Sequence, residues 1–140
     1  MKVAVSGSTG FVGSYLLESL YGFDCIAIGR RKPRGLDSSH FFDASIGVNT
    51  DYSAALTNVD VIIHCAARVH VMNDLAENPL EAFREVNTFG TLNLAQQAAE
   101  SGAKRFIYIS SIKVNGEETQ LDYPFTAFDQ RSPKDAYGQS

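Results

Sequence analysis

The heptapeptide Gly7-Ser8-Thr9-Gly10-Phe11-Val12-Gly13 places three glycines at intervals of three. Glycine permits a tight turn and close approach of a ligand to the backbone. Between a strand and a helix, such a turn leaves free N–H groups at the helix start that hold a pyrophosphate. The spacing here is G-x-x-G-x-x-G rather than G-x-G-x-x-G. The groups expected to bind are the N–H groups of Thr9 to Val12, and the expected dinucleotide-binding residues are Gly7, Thr9, Gly10, Phe11, Val12 and Gly13. A second signal lies at the end of the next apolar run. An acid there would bind the ribose 2′-hydroxyl and select NAD. This chain has Gly29 followed by Arg30 and Arg31, and Asp37 is too distant to substitute. Guanidinium forks pair with phosphate through two hydrogen bonds, so Arg30 and Arg31 predict NADP in preference to NAD. The alternative is a solvated basic loop.

These residues need elements to position them, and the periodicity supplies them. Short β-branched or apolar runs near 2–6, 23–28, 40–43, 59–65 and 104–110 read as strands. Between them, Val12, Tyr15, Leu16 and Leu20 fall at helical spacing. A short helix is expected over 51–56, with Thr50 or Asp51 as its cap. The longest helical pattern runs from Pro79 to Ser101 and ends at Gly102. A polar loop follows from Asn115 to Pro133, and a further helix starts near Pro133. Alternating strand and helix predicts an α/β fold, a Rossmann-like doubly wound parallel sheet of order 3-2-1-4-5 with the last strands of the full pattern missing.

Composition narrows the classes. The 140 residues are 44% hydrophobic and 20% charged, with net charge -4, which is ordinary for a globular domain and argues against disorder. No basic block suggests nucleic acid. A spanning helix needs about 20 apolar residues, and the cleanest run, Val61 to Ala67, is broken by His64. The first residues meet Ser6 and Gly7 too early for a secretory signal, so the cytoplasm is the expected location. Cys25 and Cys65 read as buried thiols on strands flanking the first strand. Two strand spacings, about 9.6 Å, exceed the roughly 7 Å that a disulfide bridges. The three histidines lack ligand spacing, so no metal is expected. His64 reads as a hydrogen-bonded core residue. Arg68 and His70 follow the fourth strand, where they face either substrate or solvent.

Five segments occur in order: the glycine turn, His64-Cys65-Ala66-Ala67, Val86-Asn87-Thr88-Phe89-Gly90-Thr91, Phe106 to Ser111, and Tyr137-Gly138-Gln139-Ser140. Together they resemble the extended short-chain dehydrogenase/reductase family, in its NAD-dependent epimerase/dehydratase group acting on nucleotide sugars. The resemblance spans the chain. It implies that Ser111 and Tyr137 are catalytic, with Ser110 beside the nicotinamide. It assigns Asp43 and the adjoining Ala44 to the adenine end of the cofactor, Ala66 and Ala67 to its wall, and Asn87 to the family's asparagine in the long helix. The residue-level alternatives are a turn or cap for Asp43, Ser110 and Ser111, a solvated polar residue for Asn87, and a surface ring for Tyr137.

The implied chemistry is tyrosine-assisted hydride transfer in a sugar 4-epimerase or 4-keto reductase. A phenol, ordinarily near pKa 10, needs neighbouring positive charge to act as a base near neutrality. The stretch Ala67 to Asp74, with Ile109 to Gly116, resembles members acting on UDP-linked or lipid-diphosphate-linked N-acetyl sugars in surface polysaccharide synthesis. The intact protein is expected to be a homodimer. Two departures stand out. Val114-Asn115-Gly116 replaces the common Val-Tyr-Gly, and the lysine expected four residues after Tyr137 lies past Ser140. The expectation is therefore that residues 1–140 form the NAD(P)-binding domain without its C-terminal substrate region, inactive alone. A non-catalytic NADP(H)-sensing module is the alternative from another class, and an inert fragment with an open sheet edge is a third.

Overall fold

A computed structural model describes residues 1–69 and 78–140. The strands are β1 (Lys2–Ser6), β2 (Asp24–Gly29), β3 (Phe41–Asp43), β4 (Val61–His64) and β5 (Arg105–Tyr108). The helices are α1 (Phe11–Ser19), α2 (Ser53–Leu56), α3 (Pro79–Arg84), α4 (Thr91–Glu100) and α5 (Ala136–Gln139). The strands form one parallel sheet in the order β3-β2-β1-β4-β5, as the alternating pattern predicts. In the central register Ser6 stands opposite Ile28 on one side and His64 on the other.

Period-two alternation sends successive side chains to opposite faces of the sheet. Val3, Val5 and Ile63 pack with Leu16, Leu17 and Leu20 on the α1 face. Ala4, Ile26, Ile28 and Ile62 pack with Leu56 of α2 and Leu94 and Ala98 of α4 on the other. Val12 and Tyr15, which share the helical spacing of Leu16, are instead exposed. Val12 sits in the first turn of α1, above the carboxyl edge of the sheet, and lines an open cavity there. Cys25 and Cys65 are free and half-buried against the α1-side cluster, and burial pushes both thiols up in pKa. The carboxylate of Asp51 accepts from the Ser53 N–H at 2.9 Å and closes the start of α2.

The long helical pattern is not uniformly α. Between α3 and α4 the backbone widens into a π-helical turn over Glu85–Gly90. Such turns insert extra backbone into a helix and concentrate at functional sites. Gly90 ends this one, and a Cβ there would lie 2.8 Å from Ile46 Cγ2 and 3.0 Å from the Gly47 nitrogen. The loop after β3 thus packs directly on the helix backbone. Asn93 Nδ2 donates to the carbonyls of Gly47 and Thr50, and Gln97 Nε2 donates to Thr50 as well. No helix among the described residues is long and apolar enough to cross a membrane.

Candidate active site

β1 ends in the glycine turn, and the turn depends on its glycines. Gly7 has φ +69°, and a Cβ on it would lie 2.7 Å from the Ala66 nitrogen. A Cβ on Gly13 would lie 2.2 Å from the Gly7 carbonyl oxygen. The turn is therefore sealed against the chain leaving β4 on one side and against α1 on the other. Gly10 is the N-cap of α1 and supplies no side-chain cap. Its own N–H donates to the Gly7 carbonyl at 2.9 Å, so this amide, within the expected Thr9–Val12 set, is already used by the turn. The first N–H groups of a helix have no intrahelical acceptor, and Phe11 and Val12, which carry two of them, line the cavity at the carboxyl edge of the sheet.

Outside the carboxyl ends of the strands is a cavity of about 540 Å³. β1 separates the outward windings of the sheet, and this crevice is where open α/β sheets take ligands. Of the residues expected from sequence, Gly7, Thr9, Gly10, Phe11, Val12 and Gly13 line it. So do Arg30, Arg31, Ala44, Ala66, Ala67, Ser110, Ser111 and Tyr137. Asp43 does not; it stands exposed at the end of β3, one residue before Ala44. Asn87 lines a smaller hollow of about 40 Å³, which shares Ala67, Ser110, Ser111 and Tyr137 with the larger cavity. His70 lies outside the described residues, as does the end of the Ala67–Asp74 stretch. The sequence reading missed Ile46, Cys65, Val69 and Ile109 as wall residues. Their apolar types read as core, and only the loop paths bring them to the rim.

The catalytic candidates come from opposite ends of one long connection. Ser111 follows β5, and its Oγ accepts from the Lys113 N–H at 3.3 Å, capping a 3₁₀ turn over Ile112–Val114. Tyr137 lies on α5, with its ring 6.1 Å from that of Phe83. Burial, together with the neighbouring Tyr137 phenol, pushes the Tyr108 hydroxyl up in pKa. Asn87 is only 6% exposed and is not a solvated helix residue. Its Nδ2 donates to Ser140 Oγ at 2.8 Å, while Thr88 Oγ1 donates to the Ser140 carbonyl at 2.7 Å. The π-helical turn is thereby bonded to Ser140, three residues after Tyr137. The guanidinium of Arg68 lies over the Phe83 ring, 5.4 Å from its centroid, a cation–π arrangement.

His64 is fully buried. One ring nitrogen lies 2.6 Å from Ser6 Oγ and the other 2.9 Å from Thr91 Oγ1; either neutral tautomer satisfies both. Ser6 Oγ also accepts from the Ala66 N–H at 3.3 Å. Burial lowers the pKa of His64 to about 4. The ring is a neutral strut that joins β1, β4 and α4 and fixes the chain at Ala66, as the core reading of this histidine expects.

This parallel sheet, with its cavity outside the carboxyl ends of the strands, defines a doubly wound α/β protein. A model of the NAD dependent epimerase/dehydratase family matches residues 3–140, and the chain belongs to that family. A UDP-glucose 4-epimerase from Vibrio cholerae is 47% identical over 142 residues, covering 99% of this chain and 43% of that protein. A short-chain dehydrogenase/reductase superfamily protein from Agrobacterium tumefaciens, solved with bound NAD, superposes with TM-score 0.83 at 26% identity, over 99% of this chain and 41% of that one. The UDP-N-acetylglucosamine 4-epimerase of Bacillus cereus gives TM-score 0.76 at 26% identity, over 99% and 50%. The chain thus spans half or less of the length of each of these relatives.

Proposed function

We propose that the protein carrying this chain is a nicotinamide-dependent enzyme that epimerises or reduces the sugar of a nucleotide sugar. Residues 1–140 act as its dinucleotide-binding part. The observation that carries this reading is that one cavity is lined both by the glycine turn and by Ser111 and Tyr137. The residues present fit a dinucleotide. A cradle at Gly7 and Gly13 has no room for a Cβ, the N-terminus of α1 has no side-chain cap, and Arg30 and Arg31 line the cavity. The names of the Vibrio cholerae and Bacillus cereus relatives supply the substrate class.

The nicotinamide supplies the acceptor and donor of hydride. Tyr137 takes the proton from the sugar hydroxyl as that carbon is oxidised and returns it on reduction. Ser111 donates a hydrogen bond to the same oxygen, steadying the charge that develops on it. The π-helical turn orients these groups through Asn87 and Thr88, which bond Ser140, three residues after Tyr137.

The finer reading is NADP in preference to NAD, because two guanidinium groups stand where an acid would favour NAD. Its substrate is a UDP-linked or lipid-diphosphate-linked N-acetyl sugar for surface polysaccharide, handled in the cytoplasm by a homodimer. Titrating the full-length protein with NADPH and NADH by nucleotide fluorescence, then adding UDP-N-acetylglucosamine and UDP-glucose, tests the proposal. Saturable dinucleotide binding with turnover of one sugar supports it. A protein that binds neither nucleotide refutes it.

A further inference from the structure

Helix α5 carries Tyr137. Its N-cap is Asp135, whose Oδ1 accepts from the Gly138 N–H at 2.6 Å. The other carboxylate oxygen, Oδ2, lies 3.3 Å from the ammonium of Lys113. The same ammonium also pairs with Glu117.

The Lys113 backbone takes part in the same contact. Its N–H donates to Ser111 Oγ. Its carbonyl oxygen would lie 2.7 Å from a Cβ on Gly138, so α5 rests directly on the 3₁₀ turn, and only glycine at 138 permits this. Beside the contact, the Ser132 N–H donates to the Val114 carbonyl at 2.9 Å. The polar connection from Asn115 to Lys134 therefore leaves and returns at one place.

We propose that Lys113 is a positioning residue that sets Tyr137 against Ser111. Its backbone is fixed by the Ser111 side chain, and its ammonium holds the cap of the helix that carries Tyr137. The inference rests on the functional reading above, in which Ser111 and Tyr137 act on one sugar oxygen. Among the cavity-lining residues it concerns only the distance and angle between these two. The ammonium's partners are the carboxylates of Glu117 and Asp135, and Lys113 is not among the residues that line the cavity. Arginine, with a wider fork, can still reach both carboxylates, whereas methionine retains the stem and loses the charge.

The test uses the full-length protein and its Lys113→Met, Lys113→Arg and Asp135→Asn variants. Asparagine at 135 keeps the oxygen that caps Gly138 and removes the ionic partner. The expected result for Lys113→Met is a kcat lowered about fivefold, as for loss of one well-placed ion pair, with dinucleotide Kd unchanged. Lys113→Arg is expected to restore kcat, and Asp135→Asn to reproduce the Lys113→Met loss with no further loss in the double variant. Wild-type kcat in Lys113→Met overturns the inference, and so does a loss that Lys113→Arg shares. Hydrogen exchange at the Gly138 amide reads the brace without turnover and is expected to be about fivefold faster in Lys113→Met. Unchanged exchange overturns the inference whatever the activity. A wild-type protein that turns over no nucleotide sugar, yet shows the faster exchange in Lys113→Met, removes the functional reading and leaves the brace.

Discussion

Asn87 grips the backbone of Arg68 at both ends. Its Oδ1 accepts from the Arg68 N–H at 2.7 Å, and its Nδ2 donates to the Arg68 carbonyl at 3.1 Å. The contact spans nineteen residues of sequence and ties the chain leaving β4 to the π-helical turn. Asn87→Ala removes both of these hydrogen bonds, together with the one to Ser140. The expected cost is about 1–3 kcal/mol of folding stability, measured by urea unfolding. Asn87→Asp retains the acceptor alone and is expected to fall between alanine and wild type.

The buried His64 predicts a pH dependence. Its folded pKa, about 4, lies below the ordinary value of 6.5, so the unfolded chain binds more protons between these limits. Stability is then fully present above about pH 6.5 and is lost as pH falls toward 4, at up to about 1.4 kcal/mol per pH unit. Urea unfolding at pH 7, 6 and 5 checks this, with His64→Gln as the reference that removes the titrating ring. A wild-type protein whose stability runs parallel to that of His64→Gln over the interval would show that the ring is not buried neutral.

The glycine turn predicts a sharp steric limit. A methyl group on residue 13 would sit 2.2 Å from the Gly7 carbonyl oxygen, so Gly13→Ala must push α1 away from the turn. Overpacking of this kind costs about 1–3 kcal/mol, and dinucleotide affinity should fall with it. At Gly22 nothing lies within 4 Å of the added Cβ, although its φ of +92° makes alanine strained there. Gly22→Ala is therefore expected to lower stability and leave nucleotide affinity unchanged. Equal losses of affinity in the two variants would separate the turn from nucleotide binding.

The arginine pair predicts cofactor choice. Arg30 and Arg31 are exposed, line the cavity and form no ion pair among the described residues. Replacing both with alanine should weaken NADP by about tenfold or more, the loss of a charge-assisted contact, and leave NAD nearly unchanged. Isothermal titration with each nucleotide decides it. Equal effects on the two would mark the arginines as a solvated loop.

The strand order was legible because each strand is a short apolar run followed by a helical pattern, and right-handed crossovers leave few arrangements. The glycine turn was legible because its steric demands are local. Contacts that join distant polar residues were not. Ser6 and Thr91 look ordinary in sequence, and only the fold brings both to His64, across separations of 58 and 27 residues. The π-helical turn was invisible for a different reason. Leu80, Phe83, Val86, Leu94 and Ala98 keep a helical spacing that does not reveal one widened turn. Lys113 and Asp135 read as two charges on either side of a polar loop, and their meeting depends on where that loop closes.

The measurement that tests the central claim most directly is the turnover of Tyr137→Phe in the full-length protein on UDP-N-acetylglucosamine and UDP-glucose, beside its dinucleotide affinity. Phenylalanine preserves the ring packed against Phe83 and removes only the hydroxyl. The account predicts a kcat reduced by about 10²–10⁴-fold, the range for a lost general acid–base, with the dinucleotide Kd within a factor of about two of wild type. A Tyr137→Phe protein that turns over sugar at the wild-type rate would contradict it.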